Sequence, residues 1–267
     1  MLTYPKIDPI LIHFTETTGV RWYGLMYVIG FLAFLFLGKY RARRPGSPIK
    51  PEQVDDLMFY GAIGVIVGGR LGEMFFYKFS QLLADPLSLF RIWEGGMSFH
   101  GGLIGVSIAM ILLAKKWQLP VLKLGDFIAP LVPIGLGAGR MGNFINGELW
   151  GRPTDVSWGM VFPHVDNLAR HPSQLYEVVG EGILLFIIVW IYSSKPRPTG
   201  AVTGLFLLGY GIARSLVEFF RVPDDSNFLG IEWLTEGQLL SIPMILIGAF
   251  LMLWAYRKSA KSGGGVS

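Results

Sequence analysis

The chain has 267 residues, with 23 lysines and arginines against 19 aspartates and glutamates. Apolar residues make up 52% of it and charged residues only 16%, whereas soluble domains carry about a quarter charged residues. This composition excludes an ordinary soluble domain, and the mean hydropathy of +0.48 agrees. Apolar runs of about 20 residues recur, which is the length needed to cross roughly 30 Å of hydrocarbon as a helix.

The charge and the residue types also limit the partners. The formal net charge of +4 does not indicate binding to nucleic acid, because most lysines and arginines lie in short loops beside apolar runs. The chain has no cysteine, so any thiol chemistry requires a thiol from a partner molecule. The four histidines show no metal-ligand spacing, and we expect neither a metal nor another cofactor.

Hydropathy predicts an all-α integral membrane fold with seven transmembrane helices in a single domain. The predicted spans, in chain order, are about 20–38, 56–77, 97–114, 122–142, 175–192, 200–220 and 236–256. Residues 78–96 are long enough for a short interfacial arm outside the membrane. Residues 143–174 mix glycine, proline and charge without helical period, which predicts a small ordered extracytoplasmic cap. The glycine-rich tail at 262–265 is predicted to be flexible.

The distribution of cations predicts the orientation in the membrane. One set of loops, which includes the C-terminal tail, holds thirteen lysines and arginines, whereas the opposite set, which includes the N-terminus, holds seven. The richer set comprises Lys39, Arg41, Arg43, Arg44, Lys50, Lys115, Lys116, Lys123, Lys195, Arg197, Arg257, Lys258 and Lys261. Because cations accumulate on the cytoplasmic side, we expect the N-terminus outside and the C-terminus in the cytoplasm.

Charged residues inside the predicted spans are the main functional signal, since each costs a few kcal/mol to insert and usually faces an interior cavity. They are Arg70, Glu73, His100, Arg140, Arg214 and Glu218. The helical rise places Arg70 roughly 21 Å above the cytoplasmic start of its span, and His100, Arg140 and Arg214 also fall in the outer half of the bilayer. Four different helices thus contribute cations at similar depth, which predicts a common site.

Local spacing suggests partners for two of these arginines. Arg70 and Glu73 are i, i+3 neighbours and can pair, and Arg214 and Glu218 are i, i+4 neighbours. Either pair can be a structural ion pair between helices. In the functional interpretation, Glu218 orients Arg214 and leaves part of its guanidinium free. Tyr210 lies on the same helix face as Arg214.

Arg140 has no carboxylate in the four residues before it, although Glu148 follows in the predicted cap. Arg140 can reach from its helix end to the lipid headgroups, or it can bind a phosphate. The guanidinium fork binds phosphate bidentately, so Arg140 and Arg214 together predict a lipid-phosphate site. The surrounding residues 137–142 match GxGxxG, but they end a span instead of following a strand, which argues against a dinucleotide site.

Four segments taken together resemble one known family. They read HGGLIG at 100–105, GRMGNFINGELWG at 139–151, HPSQLYE at 171–177 and GYGIARSLVEFFRVPD at 209–224. They are similar to segments of prolipoprotein diacylglyceryl transferases, and the resemblance runs along nearly the whole chain. Members of that family are bacterial plasma-membrane (inner-membrane) enzymes with seven spans and an external N-terminus, which agrees with the predicted topology.

The resemblance implies a reaction and a set of site residues. Phosphatidylglycerol donates its diacylglyceryl group to the lipobox cysteine in a prolipoprotein signal peptide, and glycerol 1-phosphate is released. Arg140 and Arg214 would bind and polarise the headgroup phosphate. The other residues that would form or line the site are Tyr23, His100, Asn143, Glu148, Gly151 and Tyr210, with Glu218, Arg70 and Glu73 in support.

The identity of the base and two other classes of protein stay open at this point. His100 is the first candidate for the general base, and Glu148 is the second. Intramembrane arginines also line transport pathways, but no internal repeat is visible and Asp126 is the only inner-half charge found well inside a span. A magnesium-dependent headgroup synthase would need a cluster of acidic residues, which the pattern does not provide.

Overall fold

The computed structural model describes residues 2–15, 18–91, 95–223 and 235–263. Within these residues the chain is mostly helical, with short strands outside the long helices. It divides into two compact units, of which the first comprises Met1–Phe34 with Gly125–Ser267 and the second Leu35–Leu124. Residues 264 and 265 of the predicted flexible tail lie outside the described residues, as does Asp224 at the end of the fourth motif.

The helices follow the apolar runs of the sequence. In chain order they are α1 (Trp22–Ala42), α2 (Pro51–Gly72), α3 (Phe79–Ala84), α4 (Phe99–Lys116), α5 (Val121–Ile128), α6 (Val132–Asn146), α7 (Ser173–Glu177), α8 (Leu185–Tyr192), α9 (Ala201–Val217) and α10 (Glu236–Gly263). A π-helical turn, Glu73–Tyr77, extends α2, and a π-helical segment, Val178–Leu184, joins α7 to α8. Short 3₁₀ turns occupy Pro86–Phe90 and Ala129–Leu131.

Six described helical segments are long and apolar enough to cross a membrane. They are Trp22–Ala42, Pro51–Tyr77, Phe99–Lys116, Val121–Asn146, Ser173–Tyr192 and Glu236–Lys261. Large apolar side chains cover their outer surfaces; Phe36 is 71% exposed and Phe250 is 64% exposed. Hydrocarbon can solvate such surfaces, whereas water cannot do so without a large cost. The chain is therefore a multi-pass membrane protein, as its composition predicts.

The sixth predicted span, 200–220, forms a shorter helix than expected. α9 has 17 residues and is preceded by Gly200, whose φ of 94° lies in the left-handed region. A helix of this length is about 26 Å long, which is less than the hydrocarbon thickness of about 30 Å. The last three residues of the prediction, 218–220, form a turn that leads towards the cap.

The second unit is held together by close packing of α2 against α4. Glycines on both helices allow their backbones to meet, and a Cβ added at Gly105 or Gly101 would overlap the carbonyl oxygen of Gly64 or Gly68. Small residues at such contacts are the usual means by which membrane helices associate, because lipid supplies no hydrophobic driving force between them.

The first unit brings α6 against the π-helical segment. A Cβ added at Gly137 would lie 3.0 Å from the Cα atom of Gly182, so the two backbones are almost in contact. This contact matters for the site because Arg140 lies one turn after Gly137, and Glu181 directly precedes Gly182. α9 also packs on this segment and on α10.

Asp126 caps the start of α9 from a neighbouring helix. Its carboxylate accepts hydrogen bonds from the backbone N–H of Gly200 (2.6 Å) and of Thr203 (2.8 Å), and from the Thr203 hydroxyl (2.8 Å). The first N–H groups of a helix lack internal partners, and a carboxylate there also complements the helix dipole. The charge that the sequence places in the inner half of a span therefore has a structural role.

The segment that the sequence predicts as a cap contains two short strands, and one of them pairs with the N-terminal segment. Strand β1 (Leu2–Thr3) pairs in parallel with β4 (Met160–Val161), which pairs with β5 (Ala169–Arg170) in antiparallel orientation. A second pair, β2 (Ile10–His13) and β3 (Gly19–Arg21), forms an antiparallel hairpin. Sequence analysis missed both sheets, because their two- to four-residue strands are too short for a period-2 pattern.

Tyr4 anchors the N-terminal segment to the end of α6. Its hydroxyl lies 2.8 Å from the carbonyl oxygen of Phe144 and 2.7 Å from that of Ile145. Its ring stacks on that of Phe162, which is fully buried. The hydroxyl is thus within hydrogen-bond distance of carbonyl groups that the end of a helix leaves without internal partners.

Candidate active site

A buried cluster of charged residues in the first unit contains both arginines that the sequence assigns to phosphate. Arg140 comes from α6, and Arg214 comes from α9. Two glutamates, Glu177 at the end of α7 and Glu181 in the π-helical segment, lie beside them. Residues 74 positions apart in sequence are thus linked through a shared carboxylate, Glu177.

Arg140 is held by both glutamates. Its Nε–H donates to Oε2 of Glu181 at 3.2 Å, and its Nη2 lies 3.5 Å from Oε1 of Glu177. Sequence analysis found no carboxylate in the four residues before Arg140 and named only Glu148 after it, because both partners come from a helix about forty residues later. The π-helical geometry of residues 178–184 is of a kind often found at functional sites.

Arg214 is held on two sides. Its Nη1 donates to Oε1 of Glu177 and lies 4.0 Å from Oε1 of Glu181. Its Nη2 lies 2.5 Å from Oε1 of Glu218, so the predicted i, i+4 pair forms. Glu218 also lies 3.6 Å from Nη1 of Arg221.

The accessible part of this cluster belongs to the arginines. The Glu177 and Glu181 side chains are fully buried and that of Glu218 is 3% exposed, whereas those of Arg140 and Arg214 are 20% and 12% exposed. Within the cluster, the arginine side chains are therefore more accessible than those of the glutamates. Since a guanidinium offers five donors, each arginine can keep its carboxylate and still bind another anion.

The last two turns of α6 orient Glu148 in the loop that follows. Its Oε1 atom accepts a hydrogen bond from Nδ2 of Asn143 (2.9 Å) and another from Nδ2 of Asn146 (3.2 Å). Gly147, at φ 68°, provides the left-handed backbone that ends α6 and turns the chain back. Gln174 completes the loop by donating to the backbone carbonyl of Glu148 at 2.6 Å.

Gly151 lies where three segments of the chain meet. Its N–H donates to the carbonyl of His171 at 2.9 Å, and it forms an antiparallel bridge with Arg221. A Cβ at this position would overlap the His171 carbonyl oxygen and lie 2.6 Å from that of Phe220. The structure thus gives Gly151 a packing role, and its predicted contact with lipid stays a prediction.

Two tyrosines from the predicted site lie next to these elements. The ring of Tyr23 packs on α6 at Gly142, where an added Cβ would lie 2.7 Å from the ring, and Gly142 is two residues after Arg140. Tyr210 precedes Arg214 by one helical turn and stacks on Phe206 at a centroid distance of 6.2 Å.

His100 belongs to the second unit, whereas Arg140 and Arg214 belong to the first. It lies in the first turn of α4, where the hydroxyl of Ser98 accepts a hydrogen bond from the N–H of Gly101. The imidazole is exposed and contacts the Phe99 ring edge-on at 5.6 Å. Its role as general base stays a prediction.

The expected Arg70–Glu73 ion pair is wrong. In the part of the chain that the structure describes, Glu73 instead pairs with Lys78 at 3.3 Å. The Arg70 guanidinium is instead engaged by backbone carbonyl groups between residues 88 and 96. The sequence pattern could not indicate this, because these carbonyl groups come from a segment about twenty residues later.

Arg70 has a structural role in the segment predicted as an arm. Its guanidinium donates to five backbone carbonyls, those of Ser88, Leu89, Arg91, Gly95 and Gly96. The side chain is buried, and the arm wraps around it. Arg70 therefore fixes the segment that the sequence predicts as an interfacial arm, and its supporting role in the site stays a prediction.

Comparison with known proteins agrees with the family resemblance of the sequence motifs. The family model for prolipoprotein diacylglyceryl transferase matches residues 9–254. The chain belongs to this family. A phosphatidylglycerol–prolipoprotein diacylglyceryl transferase of Nitrosospira multiformis is 59% identical over 97% of this chain and 90% of its own length. Proteins of the same name from Nitrosomonas europaea and Legionella pneumophila are 59% and 57% identical, over 98% and 96% of this chain and 94% and 100% of their own lengths.

Sequence analysis overlooked two charged residues of this cluster. Glu177 and Glu181 both lie in the fifth predicted span, four residues apart in an apolar run. The cost of burying a charge in a membrane, which identified the arginines, applies equally to these carboxylates. The signal was therefore present in the sequence, and Glu177 also ends the HPSQLYE motif.

Proposed function

We propose that this chain transfers the diacylglyceryl group of phosphatidylglycerol to the lipobox cysteine of a prolipoprotein signal peptide. The products are a thioether-linked lipoprotein precursor and glycerol 1-phosphate, so the reaction is the first step of lipoprotein maturation. Membership in the diacylglyceryl transferase family supports this transferase activity. The observation that carries the proposal is that Arg140 and Arg214 both pair with the buried Glu177 and that their side chains are less buried than it.

The proposal includes the location and the topology. The protein lies in a bacterial plasma (inner) membrane, with α9 as a seventh span, its N-terminus outside and its C-terminus in the cytoplasm. The excess of lysine and arginine in one set of loops supports this orientation. In this orientation the arginine cluster lies towards the extracytoplasmic side, where the cysteine of a translocated signal peptide is accessible.

The chemistry requires a thiolate and a stabilised leaving group. A base removes the proton of the cysteine thiol, and the sulfur attacks the glyceryl carbon that carries the phosphate ester. The carbon–oxygen bond breaks and its electron pair stays on the phosphate oxygen. Arg140 and Arg214 neutralise this developing charge, which is preorganised electrostatic stabilisation. His100 is the first candidate for the base and Glu148 the second.

The orientation of Glu148 supports its place in the site. Asn143 and Asn146 hold its Oε1 atom, while its other carboxylate oxygen stays available to a substrate group. Tyr23, Tyr210 and Gly151 complete the lipid site in this proposal. Glu218 supports it through its contact with Arg214.

A transporter is the less favoured alternative. A transport pathway would continue polar groups towards the cytoplasm, and Asp126 was the residue that could have begun one. Its carboxylate is instead engaged by Gly200 and Thr203 at the start of α9.

A direct test uses the purified protein, a synthetic lipobox peptide and phosphatidylglycerol. We expect mass spectrometry to show a peptide that has gained one diacylglyceryl group on its cysteine. A peptide with serine in place of the cysteine is the matched control and should keep its mass. An unchanged mass for the cysteine peptide, with folded protein and lipid present, would overturn the proposed function.

A further inference from the structure

The two glutamates behind the arginines are not needed to bind a phosphate, and their presence requires an explanation. Glu177 and Glu181 are fully buried, and each contacts an arginine of the proposed phosphate site. Burying a carboxylate in a membrane protein is costly. A site that only had to capture an anionic headgroup would bind it more tightly without them.

Among the residues that the structure describes, the ion pairs of the cluster join three arginines to three carboxylates. They are Arg140, Arg214 and Arg221, and Glu177, Glu181 and Glu218. The formal charges of these six side chains cancel. The arginines therefore offer local donors to a phosphate, while the surrounding carboxylates oppose the accumulation of negative charge.

The proposed reaction increases the charge on the phosphate. Phosphatidylglycerol is a phosphodiester with one negative charge, whereas glycerol 1-phosphate is a monoester whose second pKa is near 6, as for other phosphomonoesters. At pH 8 the product is therefore a dianion. An uncompensated pair of arginines would bind this product more tightly than the substrate and would slow each turnover.

We infer that Glu177 and Glu181 set the charge of the phosphate site so that glycerol 1-phosphate is released. Both are positioning residues in this role, because they act through the arginines that they hold. The inference rests on the proposed function, since it concerns the product of that reaction. It predicts that the site distinguishes poorly between a phosphate monoanion and a phosphate dianion.

Glu181 is the better residue to change, because it contacts fewer arginines than Glu177 does. Glu177 lies within 3.5 Å of both Arg140 and Arg214, whereas Glu181 lies 3.2 Å from Arg140 and 4.0 Å from Arg214. Glu181→Gln keeps an oxygen that can accept from Nε of Arg140 and removes the charge. Coulomb energy is proportional to the charge of the ligand. If the substitution tightens monoanion binding about threefold, it should tighten dianion binding by the square of that factor, about tenfold.

The experiment measures inhibition of peptide modification at pH 8 by two soluble probes. Glycerol 1-phosphate is the dianion, and glycerophosphoglycerol, the headgroup diester, is the monoanion. In the unmodified protein we expect the two inhibition constants to agree within about threefold. In Glu181→Gln we expect the inhibition constant of glycerol 1-phosphate to fall about tenfold. Glu181→Asp restores the charge and should return this constant towards its original value.

Asp55→Asn is the matched control. It removes a carboxylate that pairs with Lys39 at 2.8 Å in the second unit, outside the cluster, and should change neither constant. A purely structural role for Glu181 would lower activity without changing the ratio of the two constants.

The outcomes separate the two hypotheses. If the unmodified protein does not transfer lipid to the peptide, the proposed function fails. If it transfers lipid but binds the dianion at least tenfold more tightly than the monoanion, the inference alone is wrong. This comparison of the two inhibition constants uses only the unmodified protein, so it tests the inference even where Glu181→Gln does not fold. A folded Glu181→Gln protein whose ratio stays within twofold of the original also overturns the inference.

Discussion

Replacing Arg140 tests the phosphate site most directly, because this side chain connects α6 to both buried glutamates. Arg140→Ala removes the Nε contact with Glu181 and the Nη2 contact with Glu177. Removing one partner of a buried ion pair costs about 3–5 kcal/mol, since the other charge stays buried. The Arg140 side chain is 20% exposed, so we expect a loss of stability near 3 kcal/mol, at the lower end of that range.

The effect on turnover has a separate origin. Two charge-assisted hydrogen bonds to a phosphate contribute about 1.5–3 kcal/mol each. Their loss in the transition state corresponds to a decrease in rate of roughly 10²- to 10⁴-fold. Loss of stability and loss of turnover are therefore both expected in Arg140→Ala, and a second substitution is needed to separate them.

The double variant Arg140→Ala/Glu181→Gln separates the two effects. It removes one of the carboxylates that Arg140→Ala leaves without its guanidinium partner, so much of the lost stability should return, while the phosphate contacts stay absent. Stability is measured by thermal unfolding in lipid nanodiscs, and turnover by mass spectrometry of a lipobox peptide. Arg197→Ala is the matched control, because this arginine lies over the Tyr192 ring, outside the cluster, and should not affect turnover. If a folded single or double variant retains more than a tenth of the original turnover, Arg140 does not have the assigned role.

Three further predictions concern the structure around the site. Arg70→Gln leaves several carbonyls of the outer arm without a donor, so it should lower stability by roughly 3 kcal/mol and expose residues 78–96 to protease; an unchanged digestion pattern would contradict this. Gly105→Ala should destabilise by about 2 kcal/mol because its Cβ overlaps α2, whereas Gly135→Ala, with open space around its Cβ, should be neutral in the same thermal assay. Burial lowers the pKa of His171, so the folded protein binds fewer protons at this residue than the unfolded chain does. The contribution of His171 to stability should therefore be complete above about pH 6.5 and should fall as the pH drops below that value. Hydrogen exchange of residues 143–174 at pH 8 and pH 5 measures this loss of stability, and His171→Gln should make the loss smaller.

Hydropathy was sufficient to predict the membrane class and the positions of the long helices. The reason is that hydrocarbon demands runs of apolar residues of fixed length, and this demand acts on each segment independently of its neighbours. The same argument identified Arg140 and Arg214, because a charge inside an apolar run is visible without knowledge of its partners. Residue motifs then indicated the transferase family, which the comparisons confirm.

Partners could not be predicted where they come from distant parts of the chain. Local spacing correctly paired Arg214 with Glu218 but wrongly paired Arg70 with Glu73. The contact between Arg140 and Glu181 spans 41 residues and depends on the close approach of two glycine-containing backbones. The pairing of β1 with β4 is still more distant in sequence.

The sequence by itself determined that the chain enters a membrane, where its helices lie and which cations are functional candidates, because each of these follows from the cost of moving one segment into hydrocarbon. Only the tertiary structure decided that the two arginines share Glu177, that Glu181 is beside them and that Arg70 binds the backbone of the predicted arm. Those contacts depend on how helices pack against one another, which is a property of several segments together and is not encoded in any one of them.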